Sequence, residues 1–197
     1  MEPLQHLEAV ALPVPRPNVD TDQIVPARYL QKPRSDNFGH YLFRDLRFAP
    51  DGSEKPDFLL NQAAYRDARI VVAERNFGCG SSREHAVWAL FDQGFRVAIA
   101  PSFGDIFASN ALKNGFLPIV LPGAVVASLL GQLADRPGAR IKVDLPAQLV
   151  VAPDGATHSF HVDPFAKQCL LDGQDEIGYT LSLLPEIDAF EARYPSA

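Results

Sequence analysis

Within about fifty residues near the middle of the chain, three short apolar runs alternate with two amphipathic ones, and that alternation restricts the fold more than any other feature. The runs at 69–74 (RIVVAE), 95–100 (FRVAIA) and 116–121 (FLPIVL) are of strand length and rich in β-branched residues. Between them, residues 82–93 place Ala86, Trp88, Ala89, Leu90 and Phe91 partly on one helical face, with Gly94 as a C-terminal stop. Residues 103–114 form the second helical segment, stopped in the same way by Gly115. Strand, helix, strand, helix, strand at this spacing implies two right-handed crossovers and a parallel sheet buried on both faces. The predicted fold class is α/β, with a parallel core sheet flanked by helices.

Outside this centre the signals are weaker. Residues 8–14 (EAVALPV) alternate like an edge strand, where Pro13 is tolerated because an edge residue need not donate to a ladder. A polar turn cluster, Asn18-Val19-Asp20-Thr21-Asp22, follows. Residues 26–55 show no sustained period and are broken by Pro33, Gly39, Pro50 and Gly52. Long loops in compact domains tend to be lids or binding elements, so this segment is expected to be functional rather than a linker. A third helix is predicted near 123–134, strands near 140–152 and 157–162, and a helical tail from Pro164 onward. With no internal repeat or low-complexity tract, residues 1–197 read as one domain.

Charge and cysteine content exclude several functions. A net charge of -6 with no basic cluster argues against nucleic acid and anionic membranes as partners. No window approaches the ~20 apolar residues of a membrane span, and the first twenty residues lack a signal-peptide pattern, so a cytoplasmic location is expected. Cys79 and Cys169 are the only two cysteines and are far apart in sequence, which encodes neither a zinc site nor an iron-sulfur cluster. Cys169, in an apolar stretch, reads as a buried helix residue.

The chemistry concentrates where the first core strand hands over to the first core helix, Asn76-Phe77-Gly78-Cys79-Gly80-Ser81-Ser82-Arg83-Glu84-His85. In parallel sheets that edge is where ligands bind. Glycines let the backbone turn and approach a ligand, and a helix N-terminus favours negative charge. Arg83 adds a guanidinium fork suited to a carboxylate, beside the hydroxyls of Ser81 and Ser82. A structural reading competes, with Ser82 as an N-cap and Glu84 and His85 settling the first turn. A dinucleotide loop fails, because Arg83 stands where a third glycine is needed. A serine-hydrolase elbow fails too, since neither serine has glycine two positions away on both sides.

The string NFGCGSSREHA closely resembles the signature of the aconitase superfamily's swivelling domain, in the form used by isopropylmalate dehydratase small subunits. The resemblance extends to NVDTDQIVPARYL, APSFGDIFASNALKNGFLP and FAKQCLLDGQDEIGYTL, and so to nearly the whole chain. It implies a stand-alone swivelling β/β/α subunit paired with a larger subunit that carries a 4Fe-4S cluster, no cofactor being expected on this chain itself. The implied reaction moves a hydroxyl between neighbouring carbons of 2-isopropylmalate and 3-isopropylmalate through an alkene, in leucine synthesis.

Carried onto this sequence, the resemblance makes Ser81 the base that removes the proton α to a carboxylate. Ser82 and Arg83 hold a carboxylate, Asp22 orients active-site groups, with a turn-forming Asx role for Asp20 and Asp22 as the alternative, and the partner's iron acts on the departing hydroxyl. Substrate choice is implied to lie in residues 27–38, where Tyr29 and Leu30 could cover an isopropyl group and Arg28, Lys32 or Arg34 could meet a carboxylate or face water. Leu30 and Arg34 are taken as substrate-binding candidates, with a core-packing role for Leu30 as the alternative. Relatives acting on citraconate, methylmalate or homoaconitate, and a non-catalytic assembly subunit, are the competing functions. The intact GSSRE opposes the last.

Overall fold

The computed structural model describes residues 1–34 and 37–193. One seven-stranded sheet organises the chain, in the order β4-β3-β2-β1-β5-β6-β7. Its parallel half is β1 (His6–Val14), β2 (Ile70–Ala73), β3 (Val97–Ala100) and β4 (Leu117–Val120). The other half is an antiparallel meander of β5 (Arg140–Asp144), β6 (Leu149–Val151) and β7 (Thr157–Ser159), joined to β1 through β5. The predicted core strands and helices are therefore present, each trimmed by a residue or two at its ends.

Burial on both faces follows from the alternation along the strands. In β2, Val71 and Ala73 face a core completed by α3 (Glu84–Asp92) and α4 (Asp105–Lys113). Ile70 and Val72 face the opposite core, closed by α5 (Gly123–Asp135) and by Leu170 of α6 (Pro164–Asp172). Cys169 is buried in α6, as expected of it. The tail ends in α7 (Glu176–Ser182) and α8 (Leu184–Glu191).

One expectation is corrected. The 8–14 strand is not at an edge: β1 lies at the centre, between β2 and β5. Pro13 survives there because the two neighbours grip different parts of β1. The pairing with β5 covers His6–Val10, with the Ala11 amide donating to the Ala139 carbonyl at 3.1 Å, whereas β2 pairs with Ala11–Val14. Val10 and Val14 accept bonds on the β2 side, so the Pro13 nitrogen points to the other side, beyond the start of β5. The described residues of 26–55 are irregular, as expected, and part of the segment packs inward. They carry 3-10 turns at Ala27–Tyr29 and Phe38–Tyr41 and the short α2 (Arg44–Arg47), and they bury Phe38, Leu42 and Phe43 in the core beside α3. Of the segment 27–38, Ser35 and Asp36 lie outside the described residues.

Candidate functional site

Because β1, β2 and β3 are parallel neighbours, their C-terminal ends emerge along one edge, and the loops that follow go on pairing beyond the strands. The Gly78 amide donates to the Val19 carbonyl at 2.7 Å and the Thr21 amide to the Cys79 carbonyl at 2.9 Å. On the other side the Phe77 amide donates to the Ser102 carbonyl at 3.1 Å and the Gly104 amide to the Phe77 carbonyl at 3.0 Å. Side chains lock the arrangement. Asn76 donates from Nδ2 to Asn18 Oδ1 at 2.8 Å, Ser102 Oγ accepts from the Asn76 amide at 2.9 Å, and the Thr21 hydroxyl donates to the Ser81 carbonyl at 3.1 Å. The loop 76–81 is thus held from both sides, and left-handed backbone at Asn76, Gly78 and Gly80 lets it bend at alternate residues.

The helix behind this loop starts later than its sequence suggests. α3 begins at Glu84, with Arg83 as an extended N-cap residue (φ −129°, ψ 101°) that makes no side-chain cap bond. Ser82 is therefore not the cap, and Ser81 to Arg83 form a short spur ahead of the helix. Both serines are exposed, and among the described residues neither hydroxyl has a hydrogen-bond partner.

Asp20 and Asp22 separate into two roles that the sequence alone leaves open. The Asp20 carboxylate caps α1 (Thr21–Ile24) by accepting from the Gln23 amide at 2.7 Å. Asp22 pairs with Arg83, joining α1 to the spur, and the hydrogen bond from Arg83 holds the Asp22 carboxyl below the usual carboxylate range. The Arg83 side chain is 13% exposed and gives Asp22 a bond from Nη1, so its other N–H donors remain for a ligand.

The first turn of α3 is fixed from behind. Glu84 accepts from Asn114 Nδ2 at 2.7 Å, and Asn114 Oδ1 accepts from the Trp88 indole at 3.1 Å. His85 packs against Trp88 and Phe38, with ring centroids 4.5 Å and 5.4 Å away, and its ring faces the Leu30 main chain. Burial holds the His85 imidazole below its ordinary value, outweighing the Leu30 main chain and Glu84, which favour the charged form; Arg83 lowers it further. The unfolded chain then binds a proton at His85 before the folded one does. The contribution of His85 to stability is complete above the unfolded value of about 6.5 and is lost as the pH falls below it. We expect the melting temperature to fall between pH 7 and about 5, and His85→Gln to flatten that slope; an equal slope in the two proteins would count against a neutral, half-buried imidazole.

The structure gathers Ser81, Ser82, Arg83 and Asp22 at one point. Leu30 stands next to this group through His85 and is half-buried, with Tyr29 packed on the core beside it. Arg34 is elsewhere, at the last turn of α3, where both its terminal nitrogens bond Asp92 at 2.7 Å and 2.9 Å. Arg28 pairs with Asp45. Thr21, Asn76 and Ser102, which set the loop's position, have no signal in hydropathy or spacing and stand out only as parts of the longer matching strings. No group of three histidine, cysteine or acidic residues close enough to hold a metal ion exists among the described residues, and Cys79 and Cys169 are free, so the donor set here does not suit an iron-sulfur cluster.

Comparison with known proteins gives the family. Residues 1–124 match the family described as the aconitase C-terminal domain, and residues 127–164 match one described as LeuD_N. A 3-isopropylmalate dehydratase small subunit from Rhodospirillum centenum is 53% identical over 98% of this chain and 95% of its own length. Those from Gluconacetobacter diazotrophicus (50% identity, 98% of this chain and 93% of its own length) and Dinoroseobacter shibae (49%, 100% and 98%) are similarly related. The crystal structure of a 3-isopropylmalate dehydratase from Methanocaldococcus jannaschii superposes with a TM-score of 0.66 at 23% identity, over 96% of this chain and 99% of that one, which bears on the fold. With a family domain matched over more than half its length and relatives near 50% identity from end to end, the chain belongs to the 3-isopropylmalate dehydratase small-subunit branch of the aconitase C-terminal domain family.

Proposed function

We propose that this chain is the small subunit of a 3-isopropylmalate dehydratase, a hydro-lyase that interconverts 2-isopropylmalate and 3-isopropylmalate in leucine biosynthesis and works in the cytoplasm. The observation that carries the reading is the serine spur: two hydroxyls that bond nothing among the described residues, set beside a guanidinium at the strand ends of a parallel sheet. A large-subunit partner supplies the 4Fe-4S cluster, and with it the Lewis acid for which the described residues of this chain offer no donor set.

The chain's own part is proton transfer and orientation. A serine hydroxyl is a poor base in water, and it becomes a usable one only where its alkoxide is stabilised. Ser81 stands two positions ahead of the extended Arg83 and three ahead of the first residue of α3, so the chain places a cation and the amide dipoles of a helix N-terminus close by in sequence to favour that charge. We assign Ser81 the abstraction of the proton α to a substrate carboxylate, and its return on rehydration. Ser82 and the free donors of Arg83 hold that carboxylate, and Asp22 fixes the guanidinium in place. Tyr29 and Leu30 provide apolar cover for the isopropyl group. Arg34 can reach a carboxylate only if its pair with Asp92 opens.

The test is reconstitution of this chain with the cluster-bearing large subunit of its own organism, assayed on isopropylmalate and on citraconate, methylmalate and homoaconitate. Preferential turnover of isopropylmalate is expected; preference for another acid would overturn the substrate assignment, and a subunit mixture active without this chain would overturn the catalytic one. In the same assay Arg83→Lys keeps the charge but loses the planar fork shared between Asp22 and the carboxylate. The Michaelis constant should rise roughly tenfold to a hundredfold, the worth of one charge-assisted hydrogen bond, and an unchanged constant would remove Arg83 from substrate binding.

A further inference from the structure

Tyr29 reaches α3 through a continuous series of ring contacts. Tyr29 stacks on Tyr41 at 4.2 Å, Tyr41 meets Phe38 edge-on at 5.4 Å, and Phe38 meets Trp88 of α3 at 5.5 Å. Arg34 closes the far end, its guanidinium lying 5.1 Å from the centre of the Trp88 ring. Both its terminal nitrogens bond Asp92, whose side chain is only 14% exposed and also accepts from the Phe38 amide at 2.9 Å. One carboxylate therefore fastens the chain on either side of residues 35–36. Asp92 is eight positions from the first residue of α3, about 12 Å along the helix and thus remote from the serine spur.

We propose that Arg34 and Asp92 are a positioning pair: by clamping residues 34 and 38 to the end of α3 they set where Tyr29 and Leu30 stand relative to Arg83, and so control substrate selection without touching the substrate. The proposal rests on the reading of residues 27–34 as the cover for the apolar branch. A bidentate pair suits this role because it fixes orientation as well as distance, and the Trp88 face beneath it removes the remaining freedom of the guanidinium. Asp92→Asn keeps an acceptor for the Phe38 amide while removing the charge, so it loosens the Arg34 side selectively.

The experiment is a double-mutant cycle of Arg34→Gln and Asp92→Asn in the reconstituted complex, measuring kcat/KM on 2-isopropylmalate and on citraconate. Each single substitution is expected to lower kcat/KM for isopropylmalate roughly tenfold to a hundredfold, as small misplacements of a binding group do, with a smaller loss on citraconate. The double variant should be no worse than the poorer single, because both remove the same clamp. Additive losses, with Arg34→Gln much the more severe, would mean that Arg34 contacts substrate and would overturn the proposal. Equal losses on both acids with a lowered melting temperature would also overturn it, leaving a structural role alone. Hydrogen exchange on the isolated full chain separates this idea from the functional reading, since it needs no activity. The Leu30 amide, bonded to the Ala27 carbonyl at 3.1 Å, should exchange faster in Asp92→Asn, and unchanged exchange there would sink the clamp whatever the enzyme's substrate.

Discussion

Replacing Ser81 with alanine should lower turnover of the reconstituted complex by roughly a hundredfold to ten-thousandfold, the range expected for loss of a general base. The structure makes this a clean test. The Ser81 side chain is exposed and its hydroxyl bonds nothing among the described residues, while the backbone of Ser81 is held through its carbonyl by Thr21. Removing the hydroxyl should therefore leave the loop, the melting temperature and the affinity for the large subunit unchanged. Ser82→Ala provides the contrast, because a group that only holds a carboxylate should raise the Michaelis constant more than it lowers kcat. Near-normal turnover in Ser81→Ala would remove it from the base role, and a matching fall in kcat for both serines would mean that the two act as one unit.

How far the sequence could be read depended on how local each interaction is. The parallel centre was legible because β-branched runs and glycine stops at Gly94 and Gly115 report directly on buried strands and helix ends. The place of β1 was not. Pro13 looks like an edge signal, and only the register of two neighbours, one gripping His6–Val10 and the other Ala11–Val14, explains why it can stand in a central strand. The start of α3 was misplaced for a related reason: Ser82 has the composition of a cap, but Thr21, sixty positions earlier in sequence, holds the Ser81 carbonyl and keeps the spur extended.

The same limit applies to charged side chains. Arg28, Lys32 and Arg34 are indistinguishable in sequence as candidates for a carboxylate. The fold gives Arg28 to Asp45 and Arg34 to Asp92, partners 17 and 58 positions away. Arg83 stands out in sequence as a candidate anion ligand because it sits inside a dense local motif, yet its pairing with Asp22 spans 61 positions and appears only in the structure. Chemistry written into one short segment can be read from it, whereas the choice among several surface cations depends on which acids the fold delivers.

Gly78→Ala should be the most destabilising small substitution in the loop, and the geometry separates its two causes. At φ +72° an added Cβ is strained whatever the space, by about 1 to 2 kcal/mol. At Gly78 the Cβ would also lie 2.3 Å from Cγ of Phe107. That ring is buried and meets Phe77 edge-on at 5.5 Å and Phe116 at 6.4 Å, so it has little room to withdraw. Overpacking of this kind adds about 1 to 3 kcal/mol, for a total of about 2 to 5 kcal/mol. Gly80 supplies the control, because at φ +95° its Cβ would meet nothing closer than 3.5 Å and should suffer the backbone strain alone. For a domain of this size, melting temperatures should fall by about 2 to 8 °C in Gly80→Ala and about 4 to 20 °C in Gly78→Ala. Phe107→Leu added to Gly78→Ala should recover part of the second loss but none of the φ strain. Equal shifts for the two glycines, or no recovery with Phe107→Leu, would show that Phe107 does not limit the loop. Because Gly78 is bonded to Val19 on one side and Phe107 packs beneath it on the other, any relief of the clash must also move the backbone that carries Ser81. Activity in Gly78→Ala should accordingly fall further than stability alone accounts for, even at temperatures where the variant is fully folded.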